Sequence, residues 1–241
     1  PDGGGSRPSC SRKVGKNAMN AGVSDFSAGP LPEVLPVFPL GGALLLPRGM
    51  LPLNIFEPRY LNMVADALAA ERIIGMVQPR ESGLGPIPDD APIYQVGCAG
   101  RITSFSEGDD GRYLIKLTGI TRFSIASELE PVRGYRRVAV DYDEFAADLS
   151  NEAASFADRG RLFKVVERYF EATGIEADCR TMEALPDETL VSALAMACPL
   201  EPRDKQALLE CAGVAERGAF LCDLMEFRTR AGDRDSSLPQ H

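Results

Sequence analysis

Histidine and tryptophan are nearly missing from this chain: 241 residues carry no tryptophan and one histidine, His241. Ser–His and Cys–His hydrolases need an imidazole held beside the nucleophile, and an imidazole at the end of a polar tail does not supply one. Cysteine is sparse and scattered, at Cys10, Cys98, Cys179, Cys198, Cys211 and Cys222, with no C-x-x-C pair among them. Without clustered thiolates or imidazoles there is no ligand set for structural zinc, so no metal and no cofactor are expected. Dispersed thiols without a secretion signal fit reduced packing residues in a cytoplasmic protein. Positive charge is also in short supply. Lys and Arg number 26 against 35 Asp and Glu, a net charge of −9, which repels phosphate backbones and argues against nucleic acid as a partner. The longest apolar stretches, Gly41 to Leu46 and Leu190 to Cys198, fall far short of the roughly 20 residues that span a bilayer, so no membrane segment is expected.

What the chain does have is a 44% apolar composition, enough for a sizeable core. It is organised in blocks. Residues 1–30, rich in Gly, Ser, Asn and Pro, read as a disordered tail, with Met19 a candidate start inside it. From 31 to 148 the pattern is mostly that of strands. Tyr113, Ile115 and Leu117 alternate with Leu114, Lys116 and Thr118, and Arg136, Val138, Val140 and Tyr142 alternate with Arg137, Ala139 and Asp141. Ala43-Leu44-Leu45-Leu46 after Gly41-Gly42 is also strand-like, and Glu107 to Gly111 reads as a hairpin loop. One helix interrupts, starting near Pro58, a residue suited to a first helical turn. Many short strands with one helix predict a small, closed or nearly closed barrel. From 149 to 231 the period changes to that of helices: Leu162, Val165, Val166, Tyr169 and Phe170 form a stripe stopped by Gly174, and three further helices follow. Residues 232–241 read as a second tail.

The carboxylate groups Asp109/Asp110 and Asp141/Asp143/Glu144 have no histidine or paired partner to support catalysis and read as solvated surface rather than as acid–base machinery. Gly97, Gly100 and Gly119 read as bulge or close-packing glycines, and Gly83-Leu84-Gly85-Pro86 with Pro88 as a surface loop.

The order and spacing of several short segments carry a resemblance. Leu35-Pro36-Val37-Phe38-Pro39-Leu40, Pro47, Asn54-Ile55-Phe56-Glu57-Pro58-Arg59-Tyr60, Ile74-Gly75-Met76-Val77, Tyr94 to Ile102, Gly119-Ile120-Thr121-Arg122-Phe123 and Leu200 to Glu210 together resemble the N-terminal domain of the Lon proteases. The likeness runs from about Leu35 to Arg230. It implies an α+β fold, a PUA-like β pseudo-barrel followed by a C-terminal α-helical bundle. It further implies a module that binds unfolded or tagged polypeptides, with a separate ATPase or protease as a partner, and an alternative use of the barrel for a small ligand or RNA. The Walker A pattern G-x-x-x-x-G-K-[ST] is missing: the one Gly-Lys, Gly15-Lys16, is followed by Asn17. With no segment for a Ser–Lys dyad either, no catalytic residue is expected. Arg59, Tyr60, Arg80 and Arg101 are the residues expected at a binding surface, since a guanidinium beside a groove can hold a peptide carbonyl or carboxylate. For Glu57-Pro58-Arg59-Tyr60 the competing reading is structural: the proline starts a helix, the tyrosine packs, and the charges pair locally.

Overall fold

The computed structural model describes residues 31–81, 87–150, 155–175 and 182–236. The two tails, Cys10, Cys179 and most of the 83–88 loop lie outside the described residues. Six strands come first: β1 (Val34–Pro39), β2 (Met50–Ile55), β3 (Ile73–Val77), β4 (Val96–Glu107), β5 (Tyr113–Val132) and β6 (Tyr135–Asp141), with helix α1 (Pro58–Leu68) between β2 and β3. A 3-10 segment, Asp143–Leu149, leads to the helices α2 (Arg159–Thr173), α3 (Asp187–Ala197), α4 (Pro202–Glu210) and α5 (Val214–Ser236).

The six strands form one mixed sheet in the order β2-β5-β4-β3-β1-β6, and β5 also pairs with β6. The length of β5 makes this double role available. Residues 113–124 pair with β4 and residues 124–132 pair with β6. Since β6 pairs with β1, β1 runs parallel to β3, and β3 pairs with β4, the pairing returns to β5. Five strands thus form a continuous circuit, and β2 hangs outside it on β5 alone. Register shifts at Ala99/Gly100 and Ile102/Ser104 of β4 allow the bend that such a circuit needs.

Inside the circuit lies a core of Leu35, Val37, Ile73, Val77, Ile93, Ala99, Ile120, Phe123, Ile125 and Val138. The Phe123 ring takes the space that side chains on Gly75 and Gly97 would fill. The larger core holds residues from both sides of position 149. It packs Leu44, Leu45, Leu46, Met63 and Val64 with Leu162, Tyr169, Leu190, Leu208 and Leu221. Ala43 to Leu46 is not a strand, as its run of apolar residues predicts; it is a buried loop. Gly42 takes φ +74 ahead of it and Gly49 N–H closes onto the Leu46 carbonyl at 2.9 Å, so the segment turns into the core instead of pairing along the sheet.

Local chemistry sets the helix ends. Pro58 opens α1, Asp158 caps α2 by accepting from the Arg161 N–H, and Gly174 closes α2 at φ 67 in the left-handed region. Asp187 opens α3; its carboxylate accepts from the Phe156 N–H at 2.9 Å and pairs with Arg159. These two interactions, the backbone hydrogen bond first, hold its carboxyl below the ordinary carboxylate range. A depressed folded-state pKa stabilises the fold above the unfolded value of about 3.9 and is lost as pH falls through the folded value. Asp187→Asn is therefore expected to cost about 1 kcal/mol near neutral pH and nothing once pH is well below 3.9. Urea titrations of both proteins at several pH values check this; a difference that persists unchanged into strong acid contradicts it.

The sheet and the helices are fastened by Arg122 of β5, which is buried. Its guanidinium and backbone N–H meet Asp148 of the 3-10 segment at 2.8–3.0 Å, and its Nη groups donate to the carbonyls of Leu209, Cys211 and Ala212 between α4 and α5.

Candidate groove between the β3–β4 connection and the helices

A groove of about 720 Å³ opens where three chain segments meet, a size within the range of known ligand clefts. One wall is Pro79, Arg80, Glu81 and Tyr94, from the connection between β3 and β4. The second is Glu201, Pro202, Arg203 and Asp204, where α4 starts. The third is Leu224, Phe227 and Arg228 of α5.

Two buried glutamines fix the first wall to the second. Gln78 donates to the Pro202 carbonyl at 3.1 Å and to Gln206 Oε1 at 3.3 Å, while Gln206 donates to the Val96 carbonyl at 3.1 Å. Arg228 fixes the third wall to the second through Asp204 at 2.8 Å and Glu201 at 3.8 Å. Lys205, the next residue along α4, gives its ammonium to the Gly42 and Met196 carbonyls, and burial lowers its pKa. The groove is thus built on a cross-linked frame.

Its lining mixes apolar and cationic groups. Phe227 is 70% exposed, the most exposed large apolar side chain among the described residues. The Arg80 guanidinium sits over the Tyr94 ring at 5.9 Å and donates from Nε to the Ile93 carbonyl at 3.1 Å, leaving its Nη groups without a hydrogen-bond partner among the described residues. Arg203 is exposed and likewise has none.

The other residues expected at a binding surface lie elsewhere. Tyr60 is buried against Phe38, ring centroids 4.3 Å apart, and burial pushes its hydroxyl up to about 12. Arg59 lies over the Tyr60 ring at 4.6 Å and is engaged by Glu57, Asp89 and the Ile87 carbonyl. Arg101 donates to the Glu71 carbonyl at 3.0 Å on the β3–β4 side of the sheet. Of the four, Arg80 alone lines this groove; Arg203 and Phe227, which also line it, are not singled out in the sequence. A signal for Phe227 existed: Leu221, Cys222 and Met225 define the buried stripe of α5, and Phe227 falls off it.

Three further exposed apolar side chains, Phe56, Phe105 and Leu114, lie around the β4–β5 hairpin and the end of β2, with Phe105 on the opposite face of the hairpin from Leu114. Strand β2 there is a poor template for another strand. Gly119 turns both its N–H and its carbonyl toward residues 48 and 49, so alternation along β5 leaves the backbone groups of Met50, Pro52 and Asn54 facing outward. Pro52 has no N–H, which breaks the row of donors at its middle.

The described residues lining the groove include no histidine, cysteine, serine, threonine or lysine. Among the described residues no group of His, Cys, Asp and Glu could hold a metal ion. The buried thiols Cys198 and Cys222 are pushed up to about 12 and about 11, mainly by burial, which keeps them protonated and unreactive at neutral pH. No helix among the described residues is long and apolar enough to cross a membrane.

Comparison with known proteins agrees with the sequence resemblance. The family model of the ATP-dependent protease La (Lon) substrate-binding domain matches residues 34–226. The Lon protease of Syntrophus aciditrophicus (strain SB) is 26% identical over 191 residues, covering 78% of this chain and 24% of that protein. Lon protease 2 of Sorangium cellulosum (strain So ce56) is 27% identical over 210 residues, covering 83% and 25%. The chain spans about a quarter of the length of these curated relatives. The crystal structure of a Lon N-terminal domain protein from Xanthomonas campestris superposes with a TM-score of 0.57 at 25% identity, covering 79% of this chain and 97% of that one. The N-terminal domain of the Mycobacterium avium complex Lon protease shares the fold, with a TM-score of 0.56 at 17% identity over 80% of this chain and 98% of that one. With the family model matched from the first strand to the last helix, this α+β chain belongs to the Lon substrate-binding domain family.

Proposed function

We propose that the chain is a non-catalytic polypeptide-binding module that holds exposed apolar segments of unfolded or tagged proteins. The observation that carries this reading is Phe227, a large apolar side chain left 70% exposed on the wall of a cross-linked groove. Solvating such a group costs free energy that an apolar partner would return. Membership of a substrate-binding family supports the same reading. We read the closed pairing circuit as a PUA-like pseudo-barrel over residues 31–148 and the helices of 149–231 as a bundle packed on it, the two sharing the larger core. Handing bound segments to a separate ATPase or protease, as an adaptor, belongs to the same proposal.

The test is fluorescence anisotropy of labelled unfolded peptides titrated with the full chain, with labelled RNA as the control. Saturable peptide binding with Kd near the micromolar range, about −8 kcal/mol, is expected, with no RNA binding at moderate salt. Absence of peptide binding would overturn the proposal, and salt-dependent RNA binding would replace it.

A further inference from the structure

We infer that Gln78 is a positioning residue for polypeptide binding: through a closed ring of buried hydrogen bonds it holds the β3–β4 wall of the groove against the start of α4 before any segment arrives. This rests on the polypeptide-binding reading above and adds how that site is kept in shape. Gln78, Lys205 and Gln206 are all buried, and their polar atoms join into one circuit. Gln78 Oε1 accepts from the Gly42 N–H at 3.3 Å, and its Nε2 donates to the Pro202 carbonyl at 3.1 Å and to Gln206 Oε1 at 3.3 Å. Gln206 Nε2 donates in turn to the Val96 carbonyl at 3.1 Å and to Glu210 at 2.7 Å. Lys205, one residue back along α4, closes the ring on the Gly42 carbonyl at 2.8 Å. Both N–H groups and the oxygen of each glutamine amide are thus paired, so neither carries the cost of an unmet buried polar atom.

The ring joins two walls of the groove. The backbone of Gln78 leads into Pro79, Arg80 and Glu81, and its carbonyl accepts from the Tyr94 N–H at 2.9 Å. Its side chain ends on Pro202, which belongs to the opposite wall. One residue therefore ties the position of each wall to that of the other. Apolar side chains of similar shape would serve the core about as well, since replacing both partners of a buried hydrogen bond is nearly neutral for stability. What they would not supply is direction, and a fully paired polar network makes the local arrangement rigid. A wall fixed in advance lowers the cost of ordering the site on binding.

The test uses the full chain and the labelled unfolded peptides of the anisotropy titration. Gln78→Met combined with Gln206→Leu is expected to melt close to the parent and to bind about tenfold more weakly. Gln206→Leu alone, which leaves Gln78 on the Pro202 carbonyl, should lose less affinity. Melting temperature and affinity falling together would mean that the ring only holds the fold, and would overturn the inference. Unchanged affinity in a well-folded double variant would also overturn it, with polypeptide binding left standing. If the double variant does not fold, stopped-flow mixing of the parent with peptide decides. A groove shaped in advance gives one phase whose rate rises linearly with peptide concentration, whereas a rate that levels off reveals an opening step and contradicts the inference. If no peptide binds the parent, the proposed function falls and this inference with it.

Discussion

Asp148→Asn is expected to lower the unfolding free energy by about 3–5 kcal/mol, measured by urea denaturation. The carboxylate is largely buried, and it accepts three hydrogen bonds from Arg122, one from the backbone and two from the guanidinium. It also faces a second cation. Arg217 is buried, its Nε donates to the Leu208 carbonyl, and its Nη2 has no hydrogen-bond partner. Burial and the charge of Arg122 both push its pKa down, so Asp148 compensates two guanidiniums at once. An asparagine keeps the shape but removes the charge, and it sets an N–H₂ or a neutral oxygen against donors that cannot reorient. Removing one partner of a buried pair is costly because the other is left uncompensated, while replacing both by apolar groups is cheaper. The double variant Arg122→Met with Asp148→Leu is therefore expected to recover part of the loss. A single variant as stable as the parent would show that water reaches Arg122.

Gly119→Ala is expected to cost about 3 kcal/mol, the upper part of the range for forcing a methyl group into a packed site. A Cβ at this position would run into the Leu46 carbonyl and approach the Pro47 Cα. Those atoms are backbone, so no rotamer change relieves the clash. The same glycine donates to the Gly49 carbonyl and accepts from the Arg48 N–H, so displacing it would also disturb the entry to β2. The control is Gly160→Ala in the first turn of α2, where nothing lies within 4 Å of the added carbon; it is expected to be neutral or to stabilise by about 0.5 kcal/mol. Thermal melts of the two variants separate a steric cause from a general loss of glycine flexibility. Equal effects at both sites would contradict the steric account.

The legible parts of the fold were those governed by local periodicity and capping. Pro58 marks the start of α1, Gly174 the end of α2, and the alternation of Tyr113, Ile115 and Leu117 gives the buried face of β5. Period alone misled at Ala43 to Leu46, because a run of apolar residues looks the same in a strand and in a loop turned into the core. The double pairing of β5 was hidden for a different reason: its last residues are exposed, and their partner strand is chosen by non-local geometry. Polar residues that work in the interior, such as Arg122, Gln78, Gln206 and Lys205, read as surface in a sequence, since only their partners make burial tolerable. The groove followed the same pattern. Arg80 was singled out from its residue type, but the pairing state that leaves Arg203 free and commits Arg228 depends on contacts across three segments.

The most direct test of polypeptide binding at the groove is a hydrogen-exchange footprint of the full chain saturated with an unfolded peptide that it binds. The account predicts slower exchange at the groove walls, in residues 79–81, 201–204 and 224–228, and no change at the hairpin that carries Phe105 and Leu114. Protection confined to that hairpin, or no protection anywhere while the peptide is bound, would contradict it.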